Sequence, residues 1–226
     1  MTLIEILPDL MWHATQQVKF GPIAVDTRMM IDRLPDRSLW IHSPVHPDEE
    51  LVAAVRRLGD VSYVVAPNLS HHLHFRDFLD CFPSATGFIA LGLEGKRADL
   101  ASYPTIGSRA PWSDTLEGTF IAGLPTLNET AWYHRASGTM ILADLLFCID
   151  GRKGFFAKNL ARILGVHDRL AMSRTMRLLV TDRNAFAQSV ATLCSYRIER
   201  VILAHDQIVE KDAGSRFKAA FAWLRR

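Results

Sequence analysis

The first half of the chain alternates short apolar runs with turn-forming residues, a pattern that predicts strands and helices around a common core. Runs rich in β-branched and aromatic residues predict strands at 3–7, 10–15, 23–34 and 38–43. Pro47 and the acidic residues after it predict the start of a helix, whose apolar residues keep helical spacing up to Gly59. The same pattern then predicts a strand at 61–66, a helix at 75–82 and a strand at 86–91.

The second half predicts another block of strands, followed by helices. Strands are predicted at 119–122, 130–135 and 139–143, the last two joined as a hairpin by Ala136-Ser137-Gly138. Helical spacing follows at 154–164 and 183–196, then a strand at 200–204 and a helix at 215–224. Neither an internal repeat nor a linker rich in Gly, Ser or Pro divides the sequence. We therefore expect one α/β domain over residues 1–226, with two stacked sheets covered by helices.

Composition narrows the class of protein. The 226 residues are 49% hydrophobic and 22% charged, with a net charge of +2, as in an ordinary soluble domain. The longest apolar run, 140–149, contains Asp144 and is shorter than the roughly 18–20 residues that cross a bilayer. The first residues lack the pattern of a secretory signal, so we expect a cytoplasmic location and no membrane partner. The three cysteines lie far apart, which favours reduced thiols over disulfides or a thiolate zinc site.

Three predicted strands end in similar sequences that carry candidate chemistry. Met140-Ile-Leu-Ala-Asp144 and Val201-Ile-Leu-Ala-His205 each end in one ionisable residue, and Val64-Val-Ala-Pro-Asn68 leads into Ser70-His71-His72-Leu73-His74. Residues just past the carboxyl end of a buried strand lie at the rim of the sheet, where α/β proteins build sites. Imidazole and carboxylate bind zinc, iron or manganese, so convergence of these strand ends predicts a metal centre.

Each element of this site also has a structural interpretation. The three histidines can form a solvated loop, and Asp144 can serve as a turn former or helix cap. His205 and Asp206 can form a turn between a strand and a helix. The paired occurrence of Asp144 and His205 after similar Ile-Leu-Ala strands favours a shared site over these separate roles.

The order of these features resembles the metallo-β-lactamase superfamily. Its His-x-His-x-Asp-His motif falls on the segment Asn68-Leu-Ser70-His71-His72-Leu-His74, its Gly-Asp resembles Ala143-Asp144, and its final histidine resembles His205. Further segments resemble a branch of that superfamily known mainly as a domain of unknown function. These segments are Arg28-Met-Met-Ile-Asp-Arg-Leu34, Leu39-Trp-Ile-His-Ser-Pro44, Val65-Ala-Pro-Asn68, Glu129-Thr-Ala-Trp-Tyr-His134 and Ala143-Asp-Leu-Leu-Phe147. The resemblance covers almost the whole chain and implies a four-layer αββα sandwich.

The sequence departs from the superfamily at the first metal position. Asn68 and Ser70 stand where typical members have histidines, and amide and hydroxyl groups are weaker zinc ligands than imidazole. The resemblance therefore implies one divalent metal, with zinc preferred and iron or manganese left open. Its ligands would be Asp144, His205 and a donor from His71, His72 or His74. A degenerate site that binds no metal is the alternative.

A bound metal implies hydrolysis of a small ester, lactone or phosphodiester, because it lowers the pKa of bound water and polarises a carbonyl or phosphoryl oxygen. Asp144 would also orient the water. Glu129 is a candidate general base or extra ligand, with a solvated or ion-paired role as the alternative.

Ser43, Asn68, Ser70 and His134 are candidate pocket residues. A structural, hydrogen-bonded role is the alternative for His134. We interpret His42 and His46 as turn residues before the first helix, with a pocket wall as the alternative.

Two further classes of protein remain for comparison. A non-catalytic binding or scaffold protein would keep the fold after losing the metal site. A nucleic-acid partner is not expected, because a net charge of +2 is small and the basic segments lack interleaved aromatic residues. The sequence lacks the Gly-rich loops of dinucleotide and P-loop sites and the Gly-x-Ser-x-Gly elbow of serine hydrolases. A small-molecule substrate is expected, while its identity and the oligomeric state stay open.

Overall fold

The chain divides into two structural units in a computed structural model. The structure describes residues 1–20, 23–107, 109–149, 154–205 and 207–225, with only the backbone at 19, 20, 23, 24 and 155. Unit 1 comprises Met1–Val18 and Asp26–Gly107, and unit 2 comprises Lys19–Val25 and Ser108–Arg226. The expectation of a single domain over 1–226 stays a prediction.

The first sheet has six strands in sequential order, β1-β2-β3-β4-β5-β6. They are β1 (Ile4–Leu7), β2 (Met11–Phe20), β3 (Ile23–Arg33), β4 (Leu39–His42), β5 (Val61–Ala66) and β6 (Thr86–Ile89). The pairs β1/β2 and β3/β4 are antiparallel, whereas β4/β5 and β5/β6 are parallel. Each parallel pair is joined by a helical connection, as parallel pairing requires. The carboxyl ends of β4 and β5 therefore lie at the same edge of this sheet.

The helices of unit 1 are α1 (Glu49–Leu58), α2 (Phe75–Cys81) and α3 (Leu93–Lys96), with a 3₁₀ turn at Ala98–Leu100. Helix α1 begins two residues after Pro47 because Asp48 is its N-cap, its carboxylate accepting the N–H of Leu51 at 2.8 Å. Its buried residues, Leu51 among them, join the apolar core of the unit. The helices and strands predicted between 47 and 91 are confirmed, with shifts of one or two residues at their ends.

The second sheet has five strands in the order β11-β10-β9-β8-β7. They are β7 (Leu116–Phe120), β8 (Thr130–His134), β9 (Thr139–Leu142), β10 (Arg200–Leu203) and β11 (Ile208–Val209). Only β9 and β10 among these neighbours are parallel, and their register pairs Leu142 with Leu203. Asp144 and His205 each lie two positions beyond that pair. The register therefore brings both residues to the same edge of the sheet.

Strand β7 begins three residues earlier than the predicted strand at 119–122. Gly118, which breaks the apolar pattern in the sequence, lies inside this strand. A Cβ atom there would be 2.6 Å from Cζ3 of Trp132 on the neighbouring strand. Glycine thus makes room for the indole ring and does not end the strand.

The helices of unit 2 are α4 (Phe155–Leu164), α5 (Arg174–Leu178), α6 (Arg183–Ser195) and α7 (Ala213–Ala220), followed by a 3₁₀ turn at Ala222–Arg225. Buried residues of α6 and α7, such as Phe186 and Phe217, share a core with strands β8 to β11. No helix in the described part of the chain combines the length and apolarity needed to span a bilayer.

Candidate functional site

Asp144 and His205 form a direct side-chain pair at the carboxyl ends of β9 and β10. His205 Nε2 lies 3.0 Å from Asp144 Oδ1. The two side chains are 12% and 11% exposed, so they are shielded and yet reachable from solvent. The ring of Phe147 stacks on His205 with a centroid distance of 5.7 Å and an angle of 12° between the planes. A carboxylate and an imidazole are thus held in a fixed orientation by two parallel strands and an aromatic ring.

Glu129 holds the backbone that carries Asp144. The residue is fully buried, and its two carboxylate oxygens accept the N–H groups of Ala143 at 2.9 Å and Asp144 at 2.6 Å. A carboxylate that accepts two backbone N–H groups fixes the course of the loop after β9. Glu129 is therefore a positioning residue for Asp144 in this structure. Its action as a general base or an extra ligand stays a prediction.

The three clustered histidines have different partners within unit 1. His71 Nδ1 lies 2.5 Å from Ser43 Oγ, and His72 Nδ1 lies 3.1 Å from Nη1 of Arg97. His74 Nδ1 instead lies 3.5 Å from Asp77 Oδ2. The cluster that looked uniform in the sequence is thus divided among three environments.

The partner of each ring determines which nitrogen can bind a cation. A guanidinium only donates, so His72 Nδ1 accepts from Arg97 and the proton of the neutral ring resides on Nε2. Burial, together with the positive charges of Lys96 and Arg97, lowers the pKa of His72 and favours this neutral form. Ser43 Oγ can accept the Nδ1 proton of His71, and Nε2 is then the basic nitrogen of the neutral ring, the one that can bind a cation. Of these two, His71 is the better metal ligand.

Asn68, at the first ligand position of the superfamily motif, anchors the turn that presents the histidines. It is fully buried, and its Oδ1 accepts the N–H groups of Ser70 and His71, both at 2.8 Å. An Asx turn of this kind orients the backbone entering the cluster. Ser70 itself is exposed. The amide oxygen of Asn68 thus stabilises the loop.

Ser43 occupies an unusual backbone conformation at the end of β4. Its φ is +55° although it is not glycine, and its N–H donates to the carbonyl of Val65 at 2.9 Å. The preceding His42 is buried beside Trp40, with a ring-centroid distance of 5.3 Å, and burial lowers its pKa to about 3. His42 is therefore neutral at physiological pH. It belongs to the core beneath the loop.

His134 is the last residue of β8, where the chain turns towards β9. Its Nδ1 accepts the N–H of Ser137 at 3.2 Å and lies 2.8 Å from the hydroxyl of the same residue. Burial lowers the pKa of His134 to about 4. These contacts agree with a hydrogen-bonded structural role, while a pocket role for His134 stays a prediction.

A second cluster of metal-ligand side chains combines residues that the sequence interpretation kept apart. One ligand atom from each of His46, His74 and Asp77 lies within 4.8 Å of the other two. His46 was interpreted as a turn residue, and Asp77 was not singled out. The spacing of His74 and Asp77, three residues apart at the start of a helix, is the signal that places both on one face.

Three solved structures are similar to the chain over nearly its full length. A metallo-β-lactamase from Pontibacter korlensis is 14% identical, with a TM-score of 0.66 over 100% of this chain and 99% of its own. A DIM-1 metallo-β-lactamase exposed to ceftazidime is 12% identical, with a TM-score of 0.68 over 97% of this chain and 95% of its own. A structure of TMB-1 has the same identity of 12% and the same TM-score of 0.68 over 100% and 98% of the two chains. These likenesses confirm the predicted fold class, the metallo-β-lactamase fold.

A comparison with curated protein sequences gives no match. A family profile described as a domain of unknown function (DUF4336) matches residues 8–178. This span includes Asp144 and the histidine cluster and ends before His205. Because the profile covers well over half of the sequence, the chain belongs to the DUF4336 family, and its own fold is the metallo-β-lactamase fold.

Proposed function

We propose that the chain is a metal-dependent hydrolase with a reduced, single-metal site. Its ligands are Asp144, His205 and one histidine of the 71–74 segment, and its substrate is a small ester, lactone or phosphodiester. The observation that carries the proposal is the Asp144–His205 pair at the rim of the second sheet. We propose His71 as the third ligand because of its place in the superfamily motif and because its Nδ1 lies within hydrogen-bond distance of Ser43 Oγ.

The donor set fits a small divalent metal. Ligands about 2.0–2.1 Å from zinc at tetrahedral angles are separated by roughly 3.3 Å. The observed 3.0 Å between His205 Nε2 and Asp144 Oδ1 is close to that separation. Two nitrogen donors and one carboxylate oxygen suit zinc, and they are also compatible with manganese or iron. Zinc is therefore the metal we propose.

Each residue of the proposed site would have a different role in hydrolysis. A bound divalent metal supplies a Lewis acid and lowers the pKa of a water molecule. Asp144 would accept a hydrogen bond from that water and orient it towards a carbonyl or phosphoryl group. Glu129 would keep Asp144 in place through the two backbone N–H groups it binds. The stacked ring of Phe147 would limit rotation of His205.

A binding or scaffold protein without catalysis is the second candidate. It is favoured by the direct contact between Asp144 and His205, which gives each side chain a polar partner within the protein. It is also favoured by the use of Asn68 as a turn anchor where a ligand is expected. A well-formed apo protein with no hydrolytic activity would support this second function.

We further propose a small-molecule substrate, a cytoplasmic location and no nucleic-acid partner. All three cysteines, Cys81, Cys148 and Cys194, are free thiols, which suits a reducing compartment. The net charge of +2 gives little attraction for a polyanion.

The test uses the full chain purified without a histidine tag and stripped of metal by a chelator. Zinc, manganese and ferrous iron are added separately, and bound metal is measured by mass spectrometry. Hydrolysis of a p-nitrophenyl ester, a simple lactone and bis(p-nitrophenyl) phosphate is then followed. We expect metal-dependent turnover of at least one of these substrates.

Variants connect the activity to the proposed ligands. Asp144→Asn and His205→Ala should each lose one equivalent of metal and lower kcat/KM by roughly 100-fold or more, since a catalytic metal contributes several kcal/mol. His167→Ala is the matched control, because His167 Nδ1 also pairs with a carboxylate, that of Asp168, at 3.2 Å. Retention of full metal content and activity by both site variants would falsify the proposal.

A further inference from the structure

His46, His74 and Asp77 form a cluster of donors at the surface of unit 1. His46 lies in the connection between β4 and α1, and the other two lie at the beginning of α2. The rings of His46 and His74 meet edge to face, with centroids 5.4 Å apart and planes at 62°. Asp77 Oδ2 lies 3.5 Å from His74 Nδ1. Two imidazoles and a carboxylate therefore converge from two separate segments.

The backbone that carries each donor is anchored. The N–H of His46 donates to Oε1 of Gln16 at 3.0 Å, which ties the connection before α1 to strand β2. The carbonyl of His74 accepts the N–H of Phe78 at 3.0 Å, closing the first turn of α2. Asp77 follows His74 by three positions in that turn, so their side chains share a face. The positions of the donors along the backbone are thus set by the fold.

A cation from solvent can reach the cluster through His46 and Asp77, whereas the Nδ1 atom of His74 is itself buried. The side chain of Asp77 is 58% exposed and that of His74 is 25% exposed, and His46 is exposed as well. The donor atoms lie within 4.8 Å of one another, compared with the roughly 3.3 Å expected around tetrahedral zinc. Binding would require rotation of the exposed His46 and Asp77 side chains to bring their donor atoms closer together. Water would complete the coordination.

We propose that His46, His74 and Asp77 bind a zinc ion at a site built only from unit 1 residues. Two imidazole nitrogens select a transition metal such as zinc over magnesium or calcium, which prefer oxygen ligands. The site does not depend on Asp144 or His205. It also assigns His74 to this second centre, so that His74 is not a ligand of the hydrolytic metal.

The experiment measures zinc binding in a background that lacks the other proposed centre. The full, tag-free chain carries Asp144→Asn and His205→Ala, and zinc is titrated in competition with a chromophoric chelator. We expect one equivalent of zinc to bind. Cobalt in place of zinc should give visible d–d absorption bands of nitrogen and oxygen ligation. Binding of less than half an equivalent, or no such bands, would overturn the proposal.

Single variants then identify the ligands. Loss even of a ligand's hydrogen-bond partner lowers metal affinity roughly 10- to 100-fold, so His46→Ala, His74→Ala and Asp77→Asn should each weaken zinc binding at least that much. Asp80→Asn is the matched control, because Asp80 is another exposed carboxylate on α2. Equal zinc affinity in Asp77→Asn and Asp80→Asn would refute the site.

The same substitutions in the parent chain separate this proposal from the hydrolase. His46→Ala should remove one equivalent of zinc and leave the proposed hydrolysis unchanged. If the parent chain hydrolyses none of the substrates, the equivalent lost in His46→Ala still supports the surface site. If the double background does not fold, judged by circular dichroism, the difference in stoichiometry between parent and His46→Ala decides the question.

Discussion

Replacement of Glu129 by glutamine tests how the loop that carries Asp144 is held. The two oxygens of the buried carboxylate accept the N–H groups of Ala143 and Asp144 at 2.9 and 2.6 Å. Glutamine has nearly the same shape but only one acceptor oxygen. Its NH₂ group would face an N–H donor, so one buried backbone group would lose its partner.

The expected magnitude follows from that single lost bond. A hydrogen bond to a charged group contributes about 1.5–3 kcal/mol, and an unpaired buried donor costs a similar amount. We therefore expect the free energy of unfolding to fall by about 2–3 kcal/mol in Glu129→Gln. For a chain of this size, that corresponds to a decrease in Tm of roughly 5–10 °C.

The assay is urea unfolding of the metal-free chain at pH 7.5, followed by circular dichroism. Glu117→Gln is the control, because Glu117 pairs with Arg135 at 2.6 Å on a partly exposed strand. Such a surface pair contributes less than about 1 kcal/mol. If both variants lose the same stability, or if Glu129→Gln loses less than about 1 kcal/mol, Glu129 does not hold the loop as a buried carboxylate.

Two further substitutions test the surroundings of the site. Burial lowers the pKa of His134 from 6.5 to about 4, so the unfolded chain takes up a proton at a higher pH than the folded chain does. The folded state therefore has its full stability above pH 6.5 and loses part of it as the pH falls towards 4. At pH 4.5 the neutral His134 should lower the free energy of unfolding by roughly 2–3 kcal/mol relative to pH 7. Urea unfolding of His134→Gln should therefore show a shallower dependence of stability on pH, and an unchanged pH dependence would contradict this prediction. Gly123→Ala should lower stability by at least about 2 kcal/mol, because its φ is +74° and the new Cβ would lie 2.1 Å from the carbonyl oxygen of Asp182. Gly95→Ala, which meets nothing within 4 Å, should melt at or slightly above the parent temperature, and equal melting of the two variants would contradict the reasoning.

The fold could be predicted from local pattern wherever an element buries a regular apolar face. The strand expected at 61–66 is observed as Val61–Ala66 because its apolar run is bounded by charged and proline residues. Helix α5 (Arg174–Leu178) was missed because none of its residues is buried, so it has no amphipathic pattern. Strand β11 (Ile208–Val209) was missed because two residues cannot show a period. Elements held mainly by capping or by edge pairing leave little trace in hydrophobic spacing.

The candidate site was predictable in part. Similar strand endings predicted that Asp144 and His205 share an edge, and the structure brings their side chains into contact. Their role as metal ligands stays a prediction. The separation of the clustered histidines could not be predicted, because it depends on partners from distant segments, such as Ser43 for His71 and Arg97 for His72. Neighbouring side chains in a turn point in different directions, and local sequence spacing does not predict which distant residues each of them contacts.

The parallel pairing of β9 and β10 has a consequence for the order of events during synthesis. Asp144 and His205 are 61 positions apart and meet only when these two strands join. Closing so long a connection is slow compared with forming a hairpin. During translation, Asp144 is synthesised first, and the whole connection between β9 and β10 must follow before His205 is added. Any cation that requires both residues can therefore bind only after β9 and β10 have paired, so its uptake would report the pairing of these two strands.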